Sequence, residues 1–120
     1  MTCDLAVDAL YGTGFRGALP PVQESYVKAL NESGKPVVAV DIPSGLDADT
    51  GKIYKEAVRA KITVTFGLPK LGHFLGMGPE YAGQVLIDKI SIPNSLLSDS
   101  KVNTHLLTAE QVSQYIPIRA

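Results

Sequence analysis

A single cysteine, Cys3, stands in a sequence of 120 residues. One thiol can build neither an internal disulfide framework nor a thiolate metal cage, so a reducing cytoplasm suits the chain and Cys3 reads as a small buried hydrophobe. An excess of charge is also lacking: 11 Lys and Arg against 12 Asp and Glu give a formal net charge of -1, with a sequence pI near 6.1. Without a basic face or a polybasic patch, neither nucleic acid nor a membrane surface is an expected partner. No run approaches membrane-spanning length, and the start MTCDLAVDAL lacks the basic segment and cleavage site of a signal peptide. With no cluster of His and Cys, any metal must be held by oxygen, which favours a hard cation over zinc.

What the chain does have is apolar residues, 45% of the total, enough for one core. Cys3 to Leu10 reads as a first strand. A loop with Gly12, Gly14 and Gly17 follows, and Pro20 and Pro21 open a helical stretch to about Ser33, with Val22, Tyr26 and Leu30 at helical spacing and Gly34 as a stop. Pro36 to Ile42 is a continuous valine-rich run, the pattern of a strand covered on both faces. KITVTF (61–66) and QVLIDKISI (84–92) read as two more strands. Strands separated by helices or long connections predict an α/β fold with a mainly parallel sheet. The polar composition of 94–105 reads as a linker, and LLTAEQVSQYI as a short helix capped by Thr108 with Gln111 completing a capping box.

Gly12, Gly14 and Gly17 satisfy the dinucleotide spacing G-x-G-x-x-G after a strand, and Asp41 ends the next strand. In that fingerprint the helix begins within the glycine segment. Here Ala18, Leu19, Pro20 and Pro21 intervene, and the residue before a proline is pushed out of the helical region, so the helix must start late. The loop remains a candidate anion nest, with Thr13 and Arg16 adding a hydroxyl and a guanidinium. Asp8 and Asp41 should meet at the carboxyl edge of the sheet, where open α/β sheets bind ligands. Asp8 with Ser44 could supply part of a cation shell, whereas Asp47 and Asp49 in DADTG read as turn chemistry. Lys70 could reach an anionic ligand, Met77 between two glycines reads as a mobile turn, and His73 and His105 look too isolated to serve as ligands or bases.

With VDALYGTGFRG, VAVDIPSGLDADTG and TVTFGLPKLG in this order and spacing, the chain resembles the YjeF N-terminal domain family, the NAD(P)H-hydrate epimerases, from about Asp4 to Pro93. The resemblance implies a Rossmann-like three-layer fold and an isomerase that interconverts the R and S epimers of hydrated NADH and NADPH (NADHX and NADPHX) for nicotinamide nucleotide repair. It also implies a bound potassium ion (K+). Residue by residue, Asp8 and Ser44 match potassium ligands. Gly12, Thr13, Gly14, Phe15, Arg16, Gly17 and Ala18 match a substrate-binding loop, and Asp41 matches a substrate-contacting aspartate, which the chemistry suggests as the catalytic acid/base. A homodimer and a fused dehydratase domain are candidate partners, since LLTAEQVSQYIP looks like the entry to such a domain.

On this reading residues 1–93 are the C-terminal part of the epimerase domain, 94–105 a linker and 106–120 the start of a dehydratase domain. The family's upstream N-x-G-D-G-like segment does not occur in the sequence. The chain therefore reads as a piece of a longer protein, and weak or absent catalysis is expected of it alone. Two other readings compete. One is a nicotinamide-dependent dehydrogenase built on the literal glycine spacing, which the double proline disfavours. The other is a non-catalytic assembly module, like related domains in mRNA-decapping enhancers, which the retained Asp8, Asp41 and Ser44 disfavour.

Overall fold

The computed structural model describes residues 2–118. The sheet has four strands in the order β1 (Ala6–Asp8), β2 (Val37–Val40), β3 (Ile62–Phe66) and β4 (Gln84–Asp88). Every pairing is parallel, with Asp8 beside Ala39, Val40 beside Val64 and Phe66 beside Asp88. This is the expected α/β architecture. The strands are shorter than their apolar runs, because Asp8 and Asp41 turn the chain into loops at the carboxyl edge.

Helix α1 (Pro21–Glu32) joins β1 to β2 and starts beyond Gly17, with Pro20 as its N-cap residue. Gly17 itself is left-handed at φ 81°, a conformation glycine adopts without strain. The helix therefore points no N-terminus into the glycine segment, and the literal dinucleotide fingerprint is not built. Its buried face differs from the expected Val22, Tyr26 and Leu30 row: Val22 and Tyr26 are more than half exposed, and Val27 is buried. Val27 packs with Leu19, Val37 and Val58, with Ala6, Tyr11, Phe15 and Leu30 around them. The apolar spacing was real but rotated, since Val27 at i+4 from Gln23 faces the sheet. Burying one such valine contributes about 1.5–3 kcal/mol.

Because β-strand side chains alternate, Ala6, Val37, Ala39 and Thr63 share the face under α1. The short helix α2 (Gly78–Ala82) lies on that face too, where Thr63 donates its hydroxyl to the Ala82 carbonyl at 2.7 Å. The opposite face carries Val7, Val38, Val40, Ile62, Val64 and Leu86. None of these belongs to a buried cluster among the described residues, and Val7 is 63% exposed. The expectation that β2 is covered on both faces is thus met on one face only. Cys3 is free and half-buried rather than buried.

Beyond β4, a single turn, α3 (Asn94–Leu97), precedes α4 (Ala109–Ser113). Thr108 caps α4 as the sequence predicts: its hydroxyl accepts from the Gln111 amide at 3.2 Å, and the Gln111 side chain accepts from the Thr108 amide at 2.9 Å. Among the described residues no helix is long and apolar enough to cross a membrane.

Candidate functional site

The site lies where β1, β2 and β3 end. Asp8 closes β1 buried, and its carboxylate is the hub of a loop-to-loop joint. Ser44 donates its amide to Oδ2 at 2.7 Å and its hydroxyl to Oδ1 at 2.7 Å, and the Leu10 amide adds a third donor. The Ser44 oxygen in turn accepts from the Tyr11 amide at 3.1 Å. This arrangement ties the start of the glycine loop to the segment after β2. It also brings two oxygens side by side with no nitrogen or sulfur donor between them, the donor chemistry of a hard cation. If the Ser44 hydroxyl hydrogen turns away from Asp8, both lone pairs are free to share one ion. The pair offers the oxygen donors that part of a hard-cation shell needs.

Asp41 follows β2 with φ 69°. A left-handed residue with a β-carbon costs about 1–2 kcal/mol, and Asp tolerates it better than most. Its backbone is held on both sides: the Asp41 amide donates to the Val64 carbonyl at 2.7 Å, and the Asp41 carbonyl lies 2.8 Å from His73 Nε2. His73 Nδ1 accepts from the Lys70 amide at 3.0 Å. With Nδ1 an acceptor, Nε2 carries the proton and donates to Asp41. His73, dismissed from the sequence as isolated, is buried at the centre of the site. Only spacing in the fold reveals it, since 32 residues of sequence separate it from Asp41.

The Asp41 carboxylate uses one oxygen for the protein. Oδ1 accepts from the Thr65 hydroxyl at 2.9 Å and sits 3.4 Å from the Lys70 ammonium. Oδ2 faces the glycine loop: a β-carbon added to Gly12 would lie 4.0 Å from it. Asp8 and Asp41 therefore do not confront one another as an unpaired couple, because each has its own partner set.

Arg16 behaves differently from expectation. Its guanidinium donates to the Thr13 and Phe15 carbonyls and pairs with Asp49 at 2.6 Å, with Asp47 at 3.9 Å. Phe15 faces inward, its ring 4.7 Å from that of Tyr11, and packs on the core beside Leu19. Gly14 and Gly17 border open space. Asp47 is the turn residue the sequence suggests, accepting from the Asp49 and Thr50 amides at 2.9 and 3.0 Å. Burial alone would raise its pKa, but these amides, the Thr50 hydroxyl and the Arg16 charge together hold it below the usual value.

Met77, read as part of a mobile turn, is stapled. Its amide donates to the Gly51 carbonyl at 2.9 Å, and the Gly72 amide donates to the Ala48 carbonyl at 2.6 Å. The loop carrying Lys70 and His73 is thereby pinned to the loop after Asp41.

Burial depresses the His73 pKa below its ordinary value, and the Lys70 charge adds to this against the opposing bond to Asp41. A histidine held neutral in the fold stabilises it above its unfolded pKa, about 6.5, and that contribution is lost as pH falls below it. Urea unfolding at pH 7.5 and pH 5 should show wild-type stability dropping more steeply with acid than that of His73→Gln. Equal slopes would mean that His73 is not held neutral.

Comparison with known proteins gives a consistent set of relatives. The profile of the family described as YjeF-related protein N-terminus matches residues 1–72. The chain is 50% identical over 99 residues to the bifunctional NAD(P)H-hydrate repair enzyme Nnr of Thermofilum pendens, covering 82% of this chain and 19% of that protein. It is 40% identical over 116 residues to the Moorella thermoacetica enzyme of the same name, covering 97% and 22%. To the NAD(P)H-hydrate epimerase of Leuconostoc gelidum it is 37% identical over 102 residues, covering 82% and 46%. The chain thus spans about a fifth of the bifunctional relatives and under half of the epimerase.

Proposed function

Since the chain belongs to the YjeF-related N-terminal family, we propose that it carries the Asp41 side of an NAD(P)H-hydrate epimerase site. The observation that supports this most is the half-engaged Asp41 carboxylate, with Oδ1 bound to Thr65 and Lys70 and Oδ2 turned to the glycine loop. The names of the relatives, repair enzymes and epimerases of NAD(P)H hydrate, supply the substrate class. The hydrate bears its hydroxyl on the carbon next to the ring nitrogen. Epimerisation there passes through ring opening or hydroxyl loss, and either route needs a group that moves a proton at that oxygen or nitrogen.

In this reading Asp41 Oδ2 is that group, working at 2.6–3.2 Å or through one water. The loop from Gly12 to Ala18 holds the rest of the nucleotide: amides of Gly12, Thr13 and Gly14 offer donors to phosphate, and Arg16 must exchange Asp49 for the substrate's phosphates to contribute. Potassium would be held by Asp8 and Ser44, and when bound supplies a fixed positive charge beside the loop. Tyr11 and Phe15 serve the loop by anchoring it to the core.

The test is direct. The chain is given the R hydrate of NADH together with a dehydratase specific for the S hydrate, and NADH recovery is followed. Slow recovery, faster than the spontaneous rate, is expected of a chain that spans under half of the epimerase it resembles; recovery at the spontaneous rate, in potassium and at saturating hydrate, refutes epimerase activity for the chain.

A further inference from the structure

We propose that Lys70 and His73 are positioning residues for Asp41, Lys70 fixing its carboxylate and His73 its backbone. The inference deepens the epimerase reading and rests on it for the identity of the reacting group. The Lys70 ammonium donates to the Leu68 carbonyl at 2.8 Å, the Phe66 carbonyl at 3.0 Å and the Thr65 hydroxyl at 3.1 Å. A lysine has three donors, so its head is spent on the protein and is not an anion ligand in waiting. Because Thr65 Oγ1 accepts from Lys70, its own proton is directed at Asp41 Oδ1, 2.9 Å away. The ammonium, 3.4 Å from the same oxygen, adds charge to that bond.

The consequence is asymmetry. One carboxylate oxygen is held by a cation and a hydroxyl, and among the described residues no hydrogen bond reaches the other. A side chain free to turn about χ1 would aim its carboxylate in several directions; this one presents Oδ2 to the glycine loop. His73 acts on the other soft part of the residue, its left-handed backbone, through the bond to the Asp41 carbonyl at 2.8 Å. Its orientation is set by the Lys70 amide on Nδ1. Lys70 thus serves Asp41 twice, by its head and by its main chain.

The test combines kinetics with a measurement that needs no turnover. Lys70→Met and Thr65→Val are compared with wild type in the coupled assay, and three-bond couplings to Asp41 Cγ report its χ1 rotamer by NMR. Both variants are expected to lose about 10- to 100-fold in kcat with KM little changed, the cost of a misplaced reacting group. The couplings should go from those of one rotamer to averaged values. Wild-type kcat in both variants, or one unchanged rotamer in both, overturns the proposal. Thr65→Val keeps the size and the charge set, so it decides the matter should Lys70→Met not fold. If Asp41→Asn turns over at the wild-type rate, it is the role of Asp41 that fails, and the couplings still decide whether Lys70 holds it. In a chain without measurable turnover the couplings decide alone.

Discussion

Asp41→Asn is expected to lower the rate of hydrate epimerisation by roughly 10²- to 10⁴-fold, the usual contribution of a positioned acid/base, while the fold survives. The substitution is close to isosteric. Asn is at ease in the left-handed region that Asp41 occupies at φ 69°, so the backbone loses nothing. The side-chain carbonyl can still accept from the Thr65 hydroxyl and face the Lys70 ammonium. What disappears is an oxygen that can take up and return a proton. Circular dichroism and the urea midpoint should match wild type, and the coupled assay should not. A rate within twofold of wild type would remove Asp41 from the reaction.

Gly51→Ala is expected to destabilise the chain by about 2–5 kcal/mol, combining a left-handed backbone with overpacking. Gly51 has φ 71°, and a β-carbon there would collide with the Leu75 carbonyl oxygen and lie 2.6 Å from its carbon. Both obstacles are main chain and cannot rotate aside. Against a total stability of about 5–15 kcal/mol for a small domain, this is enough to lower the urea midpoint severely or prevent folding. Gly14→Ala is the control, because a β-carbon at Gly14 meets nothing within 4 Å and φ is not left-handed there. If both alanines shift the midpoint equally, the close approach at Gly51 does not exist in solution.

How much of this was legible beforehand depends on the kind of signal. The four strands were readable because valine and isoleucine cluster in runs bounded by glycine, proline and aspartate. The capping box at Thr108 and Gln111 was readable because both partners sit within one turn. Asp8, Ser44 and Asp41 could be chosen because strand ends of a parallel sheet share one edge, a consequence of topology. The sequence offers Lys70 only as an anion ligand and sets His73 aside, since their value comes from a loop that returns to the sheet edge after β3. Nothing in a lone histidine foretells a bond to a carbonyl contributed by a different strand.

The face of α1 was misread for a related reason: Val22 and Tyr26 have the right spacing, but the sheet meets the helix along Val27. The valine-rich β2 shows the limit of composition from the other side. Its residues record a demand for burial, and the described elements answer it on the α1 side alone.

The pinned loops have a kinetic corollary. Exchange of the Gly72 and Met77 amides with solvent requires breaking their bonds to the Ala48 and Gly51 carbonyls, so both amides should be protected for as long as the two loops stay joined. The other rim, the glycine loop, is tied to the turn by the side chain of Arg16, through an exposed ion pair with Asp49 and a longer one with Asp47. An exposed pair of this kind is weak and screened by salt. The rim beyond Asp41 is accordingly held by main-chain hydrogen bonds, and the tip of the glycine loop by a side-chain ion pair that salt weakens.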